Sequence, residues 1–181
     1  YHVVGLGESF SLSDIRIPGV LQRIALVYLS CAILYNHSSW FQQLIVMLFL
    51  LVGYYVVMVF VPVPGIGPGV LEPGKNLAAY IDSILIPGTM WQGTWDPEGI
   101  LSTFPAIATG ISGMMAGHLI ISKLKAEKIV IWMFVVGVFC LLDSFVWEWL
   151  FPINKNLWTS TYVMYTSGWA FLILATSIWI C

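Results

Sequence analysis

Two carboxylates lie close together in a short polar segment, Gly93–Gly99, of an otherwise oily chain. Asp96 and Glu98 flank Pro97, and an apolar run follows directly after them. Such acids can act as a general base, accept hydrogen bonds from a sugar or an amine, or pair with a buried arginine. The same order also suits a helix start, with Asp96 as N-cap, Pro97 in the first turn and Glu98 favoured by the helix dipole. The spacing alone leaves both interpretations open.

Two arginines and a glutamine form a second candidate group in RIPGVLQRIALVYL, residues 16–29. Arg23 lies about a turn and a half into a predicted helix, where a charge is costly and usually faces a partner or a cavity. Alternatively, its long side chain extends back to the membrane surface. Arg16 and Gln22 lie just before it, and Pro18 suits the first turn of the helix. We predict that Arg16, Gln22 and Arg23 bind substrate or donor.

The third group lies in PINKNLWTSTYV, residues 152–163, where Asn154, Lys155, Asn156 and Trp158 crowd together. Lys155 can neutralise a carboxylate or a phosphate. The alternative is a capped helix start with Trp158 in the aromatic belt at the membrane surface. The sequence has no phosphate-binding loop, no serine–histidine–aspartate pattern and no HExxH, and no metal site is predicted.

The composition indicates that lipid surrounds these groups. Of the 181 residues 59% are hydrophobic and 9% are charged, and the mean hydropathy is +0.90, whereas a soluble domain has roughly 25% charged residues. The net charge of −2, with no basic patch, argues against nucleic acid as a partner. Cys31, Cys140 and Cys181 lie in apolar runs, so they are predicted to be small buried hydrophobes.

Five apolar runs are long enough to span a bilayer, which takes about 20 helical residues. Spanning segments must satisfy their own backbone hydrogen bonds, so the predicted fold class is all-α, a polytopic transmembrane helical bundle. The predicted helices cover residues 18–35, 40–61, 100–121, 129–151 and 158–180. Between the second and third runs lies a long loop, residues 62–99. Within it, residues 76–86 are either a plain loop or a helix at the membrane surface, with Leu77, Ile81, Ile84 and Leu85 on one face.

Charge predicts the orientation of the bundle. Lys123, Lys125 and Lys128 mark the loop 122–128 as cytoplasmic, since lysines concentrate on that side. Loop 62–99 and all three candidate groups then fall on the opposite, non-cytoplasmic face.

Other features of the helices predict packing rather than chemistry. Small side chains allow close helix approach, so we predict packing along one face of the third run, at Ala106, Gly110, Gly113 and Gly117. His118 is predicted to be a satisfied interfacial residue and not a catalyst. Asp143 and Glu148 either line a cavity mouth or lie at the interface.

Three segments together resemble one protein family. RIPGVLQRIALVYL, DPEGILSTFPAI (residues 96–107) and PINKNLWTSTYV, in this order and spacing, are similar to the heparan-alpha-glucosaminide N-acetyltransferase family, which includes a lysosomal enzyme and many bacterial relatives. The loop sequence YID, Tyr80–Asp82, also fits. The resemblance extends over essentially the whole chain.

The resemblance implies a multi-helix membrane acyltransferase that moves an acetyl group from acetyl-CoA to the amine of a glucosamine across the membrane. The chain would be the central part of one transmembrane domain and inactive alone. The family's catalytic histidine is expected upstream of Tyr1, since none of His2, His37 and His118 matches it.

The remaining residues suit the binding of both substrates. Asp96 and Glu98 would hold the ammonium and the sugar hydroxyls. Arg16, Arg23 or Lys155 would pair with these acids or meet the phosphates of CoA.

Two other functions stay open at this point. A transporter or flippase for a sugar or a lipid-linked glycan is the main alternative, and a non-catalytic membrane scaffold is the third. The expected partners are an amino sugar and membrane lipid, with a second copy of the chain in a homodimer as a further candidate. Loop 62–99 contains no N-x-[ST] site, which favours a bacterial inner membrane over a lysosome.

Overall fold

The computed structural model describes residues 16–91 and 93–180. This part of the chain forms α1 (Val20–His37), α2 (Trp40–Phe60), α3 (Leu77–Leu85), α4 (Ile100–Ile120), α5 (Ala126–Trp147) and α6 (Ser160–Ile180). Its one isolated β-bridge joins Val63 to Gly67. The predicted all-α class is confirmed.

Four helices, α2, α4, α5 and α6, are long and apolar enough to cross a membrane, so the chain is an integral membrane protein. The fifth predicted span, α1, is more polar because it contains Gln22 and Arg23 near its start and Asn36 and His37 at its end. Four of the five predicted spans therefore meet the criterion of length and hydropathy.

Two predicted helix ends shift beside a proline. The first helix begins at Val20 after an extended Gly19, so Pro18 precedes the helix and does not lie in its first turn. The fourth run leaves the regular α-helix at Trp147 and ends in a turn, in which the N–H groups of Leu150 and Phe151 both donate to Trp147 O just before Pro152. These shifts leave the chain before α1 and before α6 free to form part of one surface.

The short helix in the long loop is confirmed as α3. Asn76 is its N-cap and accepts a hydrogen bond from the backbone N–H of Ala79 at 2.9 Å. The apolar face predicted from the sequence is only partly turned inward, because Leu77 is buried and Ile81 packs against the core. Ile84 and Leu85 are exposed, whereas Asp82 is only 1% exposed. A carboxylate therefore points into the protein, and its role is described below.

Small residues allow close helix contacts at only some of the predicted positions. They also do so at positions on α5 and α6 that were not predicted. A Cβ on Gly110 would lie 2.6 Å from Cys31 Sγ, which confirms close packing of α4 against α1. Nothing lies within 4 Å of such an atom at Gly113 or Gly117 in the described structure, so the prediction is wrong for these two. Helices α5 and α6 also approach each other closely, because a Cβ on Gly137 would lie 3.0 Å from the carbonyl oxygen of Gly168.

The starts of α1, α4 and α6 meet at one end of the bundle. Helix α4 contacts both α1 and α6. The loop before α6 is attached to α2, because Tyr54 Oη donates to Leu157 O and Ser160 Oγ donates to Leu51 O, both at 2.6 Å. This arrangement brings the three polar groups together.

Candidate functional site

A carboxylate–arginine cluster joins the chain before α1 to the chain before α4. Arg16 Nε lies 2.7 Å from Asp96 Oδ2, and one terminal nitrogen of Arg16 lies 2.8 Å from Asp96 Oδ1. The same nitrogen lies 2.5 Å from Glu98 Oε2. The Arg16 guanidinium also lies over the ring of Trp91, at 4.9 Å from the ring centroid. Residues about 80 positions apart in the chain thus form one ion-pair network. The guanidinium of an arginine can form two hydrogen bonds to one carboxylate, as Arg16 does with Asp96.

Asp96 is saturated with donors. Besides Arg16, the backbone N–H groups of Trp91 and Glu98 donate to its two oxygens, at 3.1 and 3.0 Å. Burial alone would raise the pKa of Asp96, but these hydrogen bonds hold it below its usual value. The hydrogen bonds and charge of Asp96 likewise raise the pKa of Arg16. Four donors thus favour the ionised form of Asp96, which positions Arg16.

The helix-cap interpretation of Asp96 is wrong, because another acid performs that role. Helix α4 begins at Ile100 with Gly99 as N-cap, and the backbone N–H of Ile100 donates to Asp82 Oδ1 at 2.9 Å. A Cβ on Gly99 would lie 2.6 Å from Asp82 Cγ, so only glycine allows this approach. The sequence contained Asp82 within YID, but a cap supplied from another helix has no local signature.

Arg23 is buried and points inward, so the interpretation that it extends to the membrane surface is wrong. Its terminal nitrogen donates to Pro97 O and to Ser102 Oγ. Its guanidinium also lies over the ring of Trp158, at 5.2 Å from the centroid. Arg23 Nε is buried without a hydrogen-bond partner among the described residues. Arg23 therefore contacts all three polar groups, and its Nε–H is an unpaired donor within the described part of the chain.

Trp158 has an unusual backbone conformation for a large side chain. Its φ is +51°, in the left-handed region that costs a non-glycine residue about 1–3 kcal/mol. The loop maintains this conformation through Asn154, whose Oδ1 accepts from the N–H groups of Asn156 and Leu157 at 2.9 and 3.3 Å. The indole Nε1 of Trp158 then donates to Thr109 Oγ1 on α4 at 3.1 Å. The strain is thus offset by contacts that place the ring against Arg23.

The other predicted members of the third group stay outside the site. Lys155 and Asn156 are exposed, and Lys155 forms no ion pair within the described ranges. Asn154 serves the turn itself. The predicted pairing of Lys155 with a carboxylate is therefore not made within the described structure.

A cavity of about 250 Å³ lies beside the network. Its polar lining includes Gln22, Arg23, Glu98 and Thr103, and Leu26 and Leu85 contribute apolar walls. Glu98 uses only Oε2 for Arg16, and no donor in the described part of the chain contacts its Oε1. A carboxylate and a guanidinium thus border the cavity, and these two types of group suit a ligand with an amine and hydroxyl groups.

The two histidines in the described part of the chain lie at the other end of the bundle. His118 Nε2 lies 2.9 Å from Gln43 Oε1, and its ring stacks on Tyr35 with centroids 5.5 Å apart. Its Nε2 is therefore hydrogen-bonded, which agrees with the prediction. His37 is exposed at the end of α1, and His2 lies outside the described residues. Asp143 is half-buried and Glu148 exposed, and neither lies near the cavity lining. No cluster of metal-ligating side chains occurs within the described ranges.

Stability should depend on pH through Asp82. Burial raises its pKa to about 6, although the bond from Ile100 acts in the opposite direction and the charges of Asp96 and Arg23 also act on it. Because the folded pKa exceeds the ordinary 3.8, the contribution of Asp82 is complete below pH 4 and is lost as pH rises through 6. We expect the free energy of unfolding of the wild type to fall by roughly 2 kcal/mol between about pH 4.5 and 7.5, relative to that of Asp82→Asn.

Thermal unfolding of both proteins in detergent at these two pH values measures that difference. Asp96 does not disturb the comparison, because its lowered pKa places its loss of stability at more acidic pH. A stability difference that stays constant with pH would show that Asp82 does not change its protonation on folding.

Two known proteins match the chain. It is 30% identical, over a 218-residue alignment, to human heparan-alpha-glucosaminide N-acetyltransferase, and 29% identical, over 216 residues, to the mouse protein. Each alignment covers 91% of this chain and 33% of the relative, so the chain spans about one third of the length of the curated relatives it matches. No protein-family model matches the chain.

Proposed function

Because this chain belongs to the heparan-alpha-glucosaminide N-acetyltransferase family over the third of those proteins that it matches, we propose that it is part of a membrane acetyltransferase. The proposed reaction moves an acetyl group from acetyl-CoA to the amine of a glucosamine-type sugar. The relatives are named for acetyl transfer to a glucosaminide, and the integral membrane character of the chain agrees with such an enzyme.

One observation supports the proposal above all others: the three motif segments converge on one site. Arg16 and Arg23 come from the first segment, Asp96 and Glu98 from the second, and Trp158 from the third. Isolated helix caps or surface-anchoring residues would have no reason to meet. A shared binding site requires that they do.

The cavity suits the acceptor sugar better than the donor. Its volume of about 250 Å³ lies below the ~300–1,000 Å³ of pockets for drug-sized ligands, which is enough for a single sugar ring but not for a whole coenzyme A. In the proposed complex, Glu98 Oε1 accepts a hydrogen bond from the ammonium, and Arg23 donates to a ring hydroxyl. Such positioning would align the amine for attack.

The proposed chemistry needs a base, because an ammonium must lose its proton before it can attack the thioester carbonyl. Asp96 is saturated and Glu98 pairs with Arg16, so neither is the proposed base. That role belongs to a histidine outside this chain, as the family resemblance implies. The amine then forms the amide bond and CoA leaves as the thiolate, either directly or through an acetyl-enzyme.

We also propose that the cavity opens on the non-cytoplasmic face, because the lysine loop 122–128 lies at the other end of the bundle and lysines concentrate in the cytoplasm. A bacterial inner membrane is the proposed location.

The proposal is tested with the full-length protein in detergent, supplied with acetyl-CoA and glucosamine. We expect release of free CoA with formation of an N-acetylated sugar, and no release with the 2-hydroxy sugar glucose. If no amino sugar causes CoA release while the same protein in vesicles takes up labelled sugar, the function is transport. Absence of both activities would rule out both functions.

A further inference from the structure

A second and larger cavity, of about 730 Å³, lies between α2, α4, α5 and α6. It extends from the α4–α5 loop, at Ser122 and Leu124, to Val163 near the start of α6, and it shares no lining residue with the cavity beside the carboxylate–arginine cluster. Apolar side chains such as Leu44, Met47, Met115 and Phe171 form most of its wall, and Trp40 and Trp132 stand exposed at its outer side. A space with these walls excludes charged groups and accepts hydrocarbon.

The three serines and the histidine that line this cavity are already hydrogen-bonded. Ser112 Oγ lies 2.9 Å from Ser167 Oγ, and Ser122 Oγ donates to Leu119 O at 2.7 Å. His118 is engaged with Gln43. A ligand with several amides or hydroxyl groups would therefore leave most of them unpaired inside this mainly apolar space, which is costly. A hydrocarbon chain has no such requirement.

Three lysines lie in segment 122–128, which contributes Ser122 and Leu124 to the lining of the cavity. Ser122 and Leu124 both line the cavity, so Lys123 lies between two lining residues, and Lys125 follows directly. Lys123, Lys125 and Lys128 are exposed and form no ion pair within the described part of the chain. Segment 122–128 therefore places three lysines against one acid, Glu127, beside a hydrocarbon-lined space.

We propose that this cavity binds an anionic phospholipid, with an acyl chain between α4, α5 and α6 and the phosphate over Lys123, Lys125 and Lys128. Basic loops beside cavities between membrane helices are the common geometry for such head groups. The inference does not depend on acetyl transfer, because it uses neither Arg23 nor Glu98.

The test uses the full-length protein, stripped of lipid in detergent and titrated with phosphatidylglycerol or phosphatidylcholine, with bound lipid measured by native mass spectrometry. We expect phosphatidylglycerol to bind at least about tenfold more tightly. Each surface lysine contributes about 1 kcal/mol, so the triple change Lys123→Gln, Lys125→Gln, Lys128→Gln should weaken phosphatidylglycerol binding roughly 100-fold without affecting phosphatidylcholine.

Two controls make the result specific. Glu127→Gln, in the same loop, removes a charge of the opposite sign and should leave binding equal or tighter. Lys75→Gln removes a lysine from the long loop and should change nothing. Equal affinity for both lipids, an unaffected triple variant, or displacement of the lipid by free CoA would each overturn the proposal. Thermal unfolding of the triple variant confirms that it is folded, because its changes lie on exposed side chains.

Discussion

Replacing Asp96 by Asn should lower acetyl transfer by the full-length protein about 100-fold and destabilise the site. Asp96 is buried and accepts four hydrogen bonds, two of them from Arg16. An amide presents N–H groups where donors already point, and it leaves Arg16 without its main counter-charge. Breaking a buried pair in this way costs about 3–5 kcal/mol, and the partial exposure of Arg16 places the expected loss at the lower end.

Glu98→Gln is the matched comparison, because Glu98 belongs to the same network but is half-buried and uses one oxygen. We expect Glu98→Gln to fold like the wild type and to raise KM for the amino sugar about tenfold, since a neutral amide holds an ammonium less well. Asp96→Asn should instead lower kcat and the unfolding temperature together. If both variants had the kcat and KM of the wild type, the ion-pair network would have no role in binding the substrate.

Gly99→Ala should unfold the start of α4 and abolish activity, with an expected cost of about 3 kcal/mol or more. The added methyl would lie 2.6 Å from Asp82 Cγ, so the carboxylate must leave the N–H of Ile100. Asp82 is buried on all sides, so its displaced charge has no water to enter. The loss of the cap then moves Pro97 and Glu98, which Arg23 and Arg16 hold. Thermal unfolding and the transfer assay measure both effects.

Gly113→Ala provides the control, because it introduces the same methyl group into the same helix at a position where nothing lies within 4 Å in the described structure. We expect that variant to keep its stability within about 0.5 kcal/mol or to gain slightly from the better helix propensity of alanine. A second check combines Gly99→Ala with Asp82→Ala. The double variant should be little less stable than Asp82→Ala alone. Once the Asp82 carboxylate is gone, the methyl group at position 99 has nothing to clash with, so the two effects do not add.

Properties that depend only on nearby residues were predictable from the sequence. Spanning helices follow from the length and hydropathy of continuous runs, so α2, α4, α5 and α6 could be located before the structure was known. The short helix α3 followed from its apolar period. The polar groups also stood out, since a charge such as Arg23 is rare in so apolar a chain.

The distribution of roles among the acids depended on the tertiary structure. Asp96, Glu98 and Asp82 are alike as residue types, and local spacing favoured Asp96 as a cap as much as a ligand. The fold brings Arg16 to Asp96 from 80 residues away and brings Asp82 to Ile100 from 18 residues away. Only these distances make Asp96 a saturated anion, Asp82 the cap of α4, and Glu98 the acid with a free oxygen at the cavity.

The sequence by itself determined a membrane bundle with three polar segments, because hydropathy and helical periodicity depend only on residues that are close together in the sequence. Only the tertiary structure decided that these segments form one site, because hydrogen bonds and burial depend on positions in space that no local pattern records. The same holds for Lys155, which by type suited an anion as well as Arg23 does. It lies outside the network because the Asn154 turn presents it to solvent while Trp158 turns inward against Arg23.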